Sequence, residues 1–183
     1  MGESIELWDL FDENRKTLNR TVVRGGERFK QGEYHVIIEI WTVNSIGEIL
    51  VTLRDYQKEE YPDKWENTGG SALAGETSRT AAIRELREET GIEASEDELI
   101  FLGTAKEESA FVDMYLLKRD VRIEDIALQD GETVDAKWVT LDTLDKMRQD
   151  LTLALPIGVR LQYIRKELEK YIPLLSAQLA ASD

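Results

Sequence analysis

The stretch from Gly70 to Ile92, GSALAGETSRTAAIRELREETGI, constrains this chain more than any other part of it. It reads G-x5-E-x7-R-E-U-x-E-E-x-G-U, with U a bulky aliphatic residue, and it predicts a helix charged along one side. Thr77 has the short hydroxyl side chain of an N-cap, and Gly91 stands where a left-handed glycine ends a helix. No breaker lies between them, so roughly 13 helical residues fit between the two signals. At about 100° per residue, Glu85, Glu88 and Glu89 fall within roughly one 100° arc. Ala82, Ile83 and Leu86 occupy the adjoining face and can anchor the helix to a core.

That acidic face is unfavourable as structure alone. Glu85 and Glu89 are like charges at i, i+4, which costs about 0.2–0.5 kcal/mol. All three glutamates lie in the C-terminal half, where the helix dipole favours cations. Arg84 can pair with Glu88, whereas Glu85 and Glu89 have no equally placed basic partner within the helix. A hard divalent cation removes the conflict, because Mg²⁺ takes oxygen ligands from one or two carboxylates together with substrate phosphates. Glu85 and Glu89 are the first candidate metal ligands and Glu88 the third. A run of charge is usually a solvated helix face, but Gly70, Glu76, Arg84 and Gly91 also fall in register, which favours a site. Ahead of the helix, Gly69-Gly70 lets backbone approach a metal or phosphate without obstruction by a side chain.

The remaining chain supplies a setting for such a site. At 183 residues, 42% apolar and 33% charged, it has the length and composition of one domain with a full core. No run of 18 apolar residues suggests a membrane span, and the start, MGESIELWDLFDENRK, lacks the features of a secretory signal. A cytoplasmic location is the default expectation. With no cysteine, the chain has no disulfide, zinc–thiolate site or thiol nucleophile. A net charge of −14 with no basic cluster argues against nucleic acid as a partner. It equally repels a small anionic substrate, so phosphate chemistry here needs metal ions and a few well-placed cations.

Along the chain, residues 1–30 read as an N-terminal β-hairpin turning at Asp12 to Arg15. Tyr34 to Val43 and Glu48 to Arg54 read as strands about the turn Asn44 to Gly47. Gly69-Gly70 reads as a loop, followed by the motif helix. Two strands follow, Leu99 to Ala105 and Ala110 to Leu117, then a short one around Ala136 to Val139. Leu141 to Met147 begins a helix, and Pro156 opens a longer C-terminal helix over about 156–180, which Pro173 kinks or breaks. Strands flanking a helix, with a helical C-terminus, fit an α/β (α+β) class with a mixed sheet covered by helices.

The motif is the signature of the Nudix hydrolases, and the chain resembles that family over roughly Tyr34 to Met147. The resemblance implies an α/β/α sandwich with a core over about 34–150. It also implies a main-chain metal ligand from Gly69, and an internal brace between Glu76 and Arg84 that holds loop to helix. Many such hydrolases draw a further carboxylate from a loop outside the motif. Glu132, in DGETVDAKW, is the best match, with Glu107 and Glu108 as the fallback choices. The candidate catalytic acids are thus Glu85, Glu88 and Glu132. The implied reaction is attack of water on phosphorus of a nucleoside diphosphate linked to a group X, with Mg²⁺, or Mn²⁺ in its place. The N-terminal hairpin and C-terminal helix are decorations on that core, where a homodimer could form.

The N-terminal layout is similar to the branch of the superfamily that contains isopentenyl diphosphate isomerase. Where that enzyme has Cys-Gly-His, this chain has Gly69-Gly70-Ser71, which removes both the reactive cysteine and a metal-binding histidine. His35, the one histidine, aligns with an isomerase ligand but reads more simply as a strand residue, and Asp113 near the isomerase glutamate reads likewise. Arg54 and Lys58 match positions that bind the diphosphate in that branch, with Lys64 a weaker candidate. Trp8, Trp41 and Tyr61 could stack on a base, although aromatic residues in such segments are more often core. A catalytically silent nucleotide-binding module is the competing reading, and an isomerase is a lesser one.

Overall fold

The computed structural model describes residues 5–172. The nine-residue strand β3 (His35–Val43, HVIIEIWTV) organises it, because its sequence is buried on both faces. Val36, Ile38 and Ile40 point to one side, and Trp41 and Val43 to the other. A strand with two apolar faces belongs in the middle of a sheet covered on both sides. It pairs in parallel with β8 (Ala110–Lys118) along its whole length, from His35↔Ala110 to Val43↔Lys118. β7 (Ile100–Lys106) extends the sheet antiparallel beyond β8.

The opposite edge of β3 is shared. Its C-terminal end meets β4 (Ile49–Arg54) at Val43↔Ile49, through the turn Asn44 to Gly47. Its middle pairs antiparallel with β6 (Thr68–Ser71), from Ile37↔Ser71 to Ile40↔Thr68. β5 (Trp65–Glu66) and β9 (Thr133–Val139) both pair with β4. Asn67 therefore lies where the chain passes from the edge of β4 to that of β3. β1 (Leu7–Phe11) and β2 (Thr17–Val23) form a separate antiparallel ribbon joined to the sheet by the bridge Phe11↔Tyr34.

Helix α1 (Ser78–Thr90) covers one face of the sheet, packing Ala81, Ala82 and Leu86 on Val36, Ile38, Ile40 and Leu117. The Thr77 hydroxyl accepts the Thr80 N–H at 3.1 Å, and Gly91, at φ 71°, closes the other end by donating to the Arg87 carbonyl. Both ends and the 13-residue length agree with the sequence. Helices α2 (Leu141–Gln149) and α3 (Leu155–Glu169) cover the other face, with Leu144, Met147, Ile157, Leu161 and Ile164 against Trp41, Val112 and Met114. The result is an α/β/α sandwich with a mixed sheet, an N-terminal hairpin and C-terminal helices, the fold class the sequence led to.

Three expectations need correction. Gly69-Gly70 is not a loop but the middle of β6, because its extended backbone completes the ladder on the free edge of β3. The last strand starts three residues earlier, at Thr133, where β4 gives it a pairing partner in Arg54. The C-terminal helix ends at Glu169 rather than near 180, with the Lys170 N–H turning back to Glu167 and Leu168. Pro173 and the stretch to Leu179 lie outside the described residues. No helix among the described residues is long and apolar enough to cross a membrane.

Candidate functional site

The split edge of β3 positions the motif. In the β3–β6 ladder the Ala72 N–H donates to the Val36 carbonyl, so pairing alternates and the main-chain groups of Gly69 and Ser71 turn away from β3. They turn toward α1. The Ser71 carbonyl accepts from Arg84 Nη2 at 3.0 Å, and the Gly69 N–H donates to Glu89 Oε2 at 3.3 Å. In an extended strand the carbonyl of a residue points the same way as its N–H, so Gly69 offers that oxygen to the same side. A Cβ at Gly70 would stand 2.3 Å from the Glu85 carboxyl carbon, and the end of that side chain would have to swing aside. A Cβ at Gly69 would stand 2.9 Å from the Ile38 carbonyl oxygen.

Glu76 and Arg84 form a bidentate pair, Nε to Oε1 at 2.8 Å and Nη2 to Oε2 at 2.9 Å. Glu76 also accepts the Leu73 N–H at 2.9 Å, which ties the loop to the helix. Arg84 Nη1 reaches Glu85 at 2.8 Å and Glu88 at 3.1 Å. One guanidinium thus serves three carboxylates. Glu88, the most exposed of them, sits at the outer rim of the group.

Glu89 is different. It is buried, and among the described residues no basic side chain pairs with it. Burial drives its carboxyl well above the ordinary range, and the neighbouring carboxylates of Glu66, Glu85 and Glu132 push it further. Glu85 and Glu66 are also raised, chiefly by burial and in spite of Arg84 and Arg54 respectively. Four glutamates from α1, β5 and the residue before β9 therefore converge on one side of the sheet. Glu132 arrives there because its carbonyl accepts the Asp55 N–H at 2.9 Å, holding it beside the end of β4.

Two cations border the group. Arg54 Nη1 contacts both oxygens of Glu66 at 2.8 Å and its Nε donates to the Glu60 carbonyl at 3.0 Å. Lys58 pairs with Glu132. The sequence reading placed Arg54 and Lys58 near the motif, and they stand here engaged with carboxylates. Lys64 instead donates to the Leu151 carbonyl at 2.8 Å, at the turn between α2 and α3. Glu66 is the member the sequence reading missed. It enters through the cross-strand pair Thr52↔Glu66, a contact that no local spacing encodes.

Carboxylate and main-chain oxygens are the donors a hard divalent cation prefers. Among the described residues no three His, Cys, Asp or Glu side chains are arranged to hold an ion as they stand. The reason is visible in the pairings: Glu66, Glu85 and Glu132 are turned to Arg54, Arg84 and Lys58. Glu89 alone of the four glutamates has no basic partner, and burial with the neighbouring carboxylates favours its protonated form until a cation replaces the proton. The donor chemistry fits a divalent ion: Glu89 has no basic partner, the Gly69 main chain lies beside it, and Glu85 would join them by giving up Arg84.

The other candidates fall elsewhere. Glu107, on the opposite face of the sheet, grips Arg160 of α3 at 2.7 and 2.8 Å, and Arg160 Nη1 reaches the buried Glu39 of β3 at 2.6 Å. Glu108 is exposed in the β7–β8 turn. Asp113 accepts from Arg15 and from the Thr104 hydroxyl, an internal tie between hairpin and sheet. His35 stacks on Trp8 with centroids 4.5 Å apart, and burial lowers its pKa to about 4. Trp41 is fully buried core, while Tyr61 lies on the surface.

Comparison with known proteins identifies the frame around this arrangement. Residues 33–156 match the NUDIX domain family. An uncharacterised Nudix hydrolase of Listeria monocytogenes is 37% identical over 145 residues, which span 79% of this chain and 85% of that protein. The isopentenyl-diphosphate Delta-isomerase of Escherichia coli is 31% identical over 113 residues, 58% of this chain and 62% of the enzyme. Among solved structures, DR0079 from Deinococcus radiodurans superposes with a TM-score of 0.73 at 22% identity, covering 88% of this chain and 98% of that one. A bifunctional NMN adenylyltransferase/ADP ribose pyrophosphatase from Francisella tularensis, in complex with AMP and a manganese ion, gives a TM-score of 0.59 at 21% identity, over 78% of this chain and 43% of its own.

Proposed function

This chain belongs to the Nudix hydrolase family, and on that premise we propose that it is a divalent-metal-dependent pyrophosphohydrolase. Its substrate is a nucleoside diphosphate linked to a group X, and its reaction is attack of water on one phosphorus of the diphosphate. The observation that carries this reading is Glu89: a buried carboxylate without a basic partner, beside Glu66, Glu85 and Glu132. Leaving such a charge uncompensated is costly, and a bound cation offsets it.

Glu85, Glu89 and the Gly69 main chain would hold the ion, with Glu88 at the rim as a further ligand. Bound Mg²⁺ or Mn²⁺ supplies charge neutralisation at the diphosphate and lowers the pKa of water held beside it. Glu132, or Glu85, takes the proton from the attacking water. Arg54 and Lys58 exchange their present carboxylate partners for phosphate oxygens and orient the diphosphate, which is the larger share of catalysis in phosphoryl chemistry. Glu76 and Arg84 keep the loop on the helix.

The isomerase-like layout does not extend to isomerase chemistry, because the chain has no cysteine and carries Gly69-Gly70-Ser71 in place of Cys-Gly-His. The test is a hydrolysis screen of nucleotide sugars, dinucleotides, oxidised nucleotides and coenzymes with Mg²⁺ or Mn²⁺. ADP-ribose is included, since one fold relative is an ADP ribose pyrophosphatase. Release of a nucleoside monophosphate is expected from at least one of them, and a Glu89→Gln variant should lose most of it. Absence of release from the entire panel, or full activity in that variant, would overturn the proposal.

A further inference from the structure

Away from the carboxylate group, a cavity of about 650 Å³ lies between the loop after β2 and the β7–β8 turn. Arg28, Lys30, Phe29, Tyr34 and Glu108 are in its lining. Tyr34 precedes Glu39, the partner of Gly69 in the ladder, by five positions along an extended segment. At about 3.3 Å per residue the cavity is therefore roughly 17 Å from Gly69.

The charge pattern in this loop is unusual for an acidic chain. The local carboxylates Glu27 and Glu33 are both taken by Arg20, at 2.9 and 2.5 Å. Arg28 and Lys30 are left exposed, with no ion pair to any described residue. Lys106 adds a third cation nearby, 4.7 Å above the Tyr34 ring. Two carboxylates stand close by: Glu108 in the lining, and Glu33, which accepts the Lys30 N–H at 2.8 Å. The aromatic walls are held in place. Phe29 packs edge-on against His35 and Trp8, at 5.2 and 6.3 Å between centroids. Tyr34 packs on Phe111 at 5.1 Å, and its main chain exchanges both hydrogen bonds with Phe11.

Two unpaired cations beside two fixed rings suit a ligand with an anionic end and a flat end. We propose that this cavity is a second binding site, for a nucleoside monophosphate, with the phosphate on Arg28 and Lys30 and the base against Tyr34 and Phe29. The volume is within the range of small-ligand sites. A guanidinium and an ammonium give charge-assisted bonds to phosphate oxygens, and an aromatic face gives sequence-tolerant stacking on a base. Glu108 is available to accept from a ribose hydroxyl or a base amino group. A polymer is disfavoured, because a net charge of −14 repels the phosphates beyond the first. The ligand has the chemistry of the product the proposed reaction releases, yet the site draws on none of the metal-side residues.

Calorimetric titration of the full chain with AMP, CMP, GMP and UMP in EDTA tests this. Without divalent ions the four glutamates repel a nucleotide from the carboxylate group, so binding reports the cavity. Saturable binding of at least one nucleotide is expected, weakened about tenfold or more by joint Arg28→Ala and Lys30→Ala substitution. The Arg54→Ala and Glu89→Gln variants should bind as the wild type does, which separates this site from the hydrolytic reading whatever the fate of that reading. Circular dichroism establishes that the double variant is folded. Failure of all four nucleotides to bind would overturn the proposal, as would unchanged affinity in the folded double variant. Inorganic phosphate binding as tightly as the nucleotides would overturn it too, since the rings would then contribute nothing.

Discussion

The two faces of the sheet bury carboxylates in opposite ways. On the α3 face, the buried Glu39 shares Arg160 with the exposed Glu107, so its charge touches one of opposite sign. On the α1 face, Arg54, Lys58 and Arg84 satisfy Glu66, Glu132 and Glu85 from the margins, and Glu89 is left with a single N–H at 3.3 Å. The chemistry of the side chains is the same on both faces. The difference is whether the fold supplies its own counter-charge, and the face that does not supply one is the face suited to take an ion from solution.

The largest expected effect lies on the closed face. Arg160→Ala strands Glu39 in the core, and chemical denaturation should show a loss of about 3–5 kcal/mol. A loss below about 1 kcal/mol would mean that Glu39 is not paired as described, and the contrast between faces would collapse. Second, Mg²⁺ should stabilise the wild type. At roughly a hundred times its Kd the gain is about 2.7 kcal/mol, read as a rise in Tm. Glu89→Gln should abolish that rise while leaving the metal-free protein as stable as before or more so. Retention of the full rise would remove Glu89 from the site.

A third test uses another buried group without a counter-charge. His35 lies on the same strand as Glu39, with its pKa lowered to about 4 by burial, so it remains neutral where Glu89 would call on a cation. A depressed folded pKa contributes stability that is present above the ordinary value of 6.5 and is lost as pH falls through about 4. Relative to a His35→Phe variant, the wild type should therefore lose about 3 kcal/mol across that window. Parallel stability–pH curves for the two would show that His35 titrates normally. The smallest effect belongs to the cap of α1: Thr77→Ala should cost about 1 kcal/mol in thermal unfolding and leave Mg²⁺ binding intact, because the glutamates sit at the far end of the helix.

What the sequence revealed of this contrast followed the range of the interactions. Thr77 and Gly91 mark the ends of α1 because capping is local, and both ends lie where those residues put them. HVIIEIWTV announces a strand because its β-branched and aromatic residues favour extended backbone, while its central place shows only in its burial on both faces. Glu66 was not singled out, since its place beside Glu89 depends on pairing with Thr52 across the sheet. Arg160 and Glu39 went unnoticed as well, although a signal existed: each is a lone charge in an otherwise apolar segment, and their signs are opposite. The strand character of Gly69-Gly70 was hidden because glycine has no β-propensity of its own. The free edge of β3 imposes it.

The sharing of one edge of β3 between β4 and β6 governs where this chain can change length. Side chains alternate along a strand, so one residue inserted at Asn67 would shift β6 by one position and exchange the facing of Gly69 and Gly70. The Ser71 and Gly69 main-chain groups would then turn from α1 to β3, and Arg84 and Glu89 would lose the carbonyl and the N–H they contact. The turn Asn44 to Gly47 carries no such constraint, for it leads only into the single pair Val43↔Ile49. Insertions that diversify this chain would thus accumulate at the exposed hairpin tip, while the passage from Glu66 to Thr68 keeps a fixed number of residues.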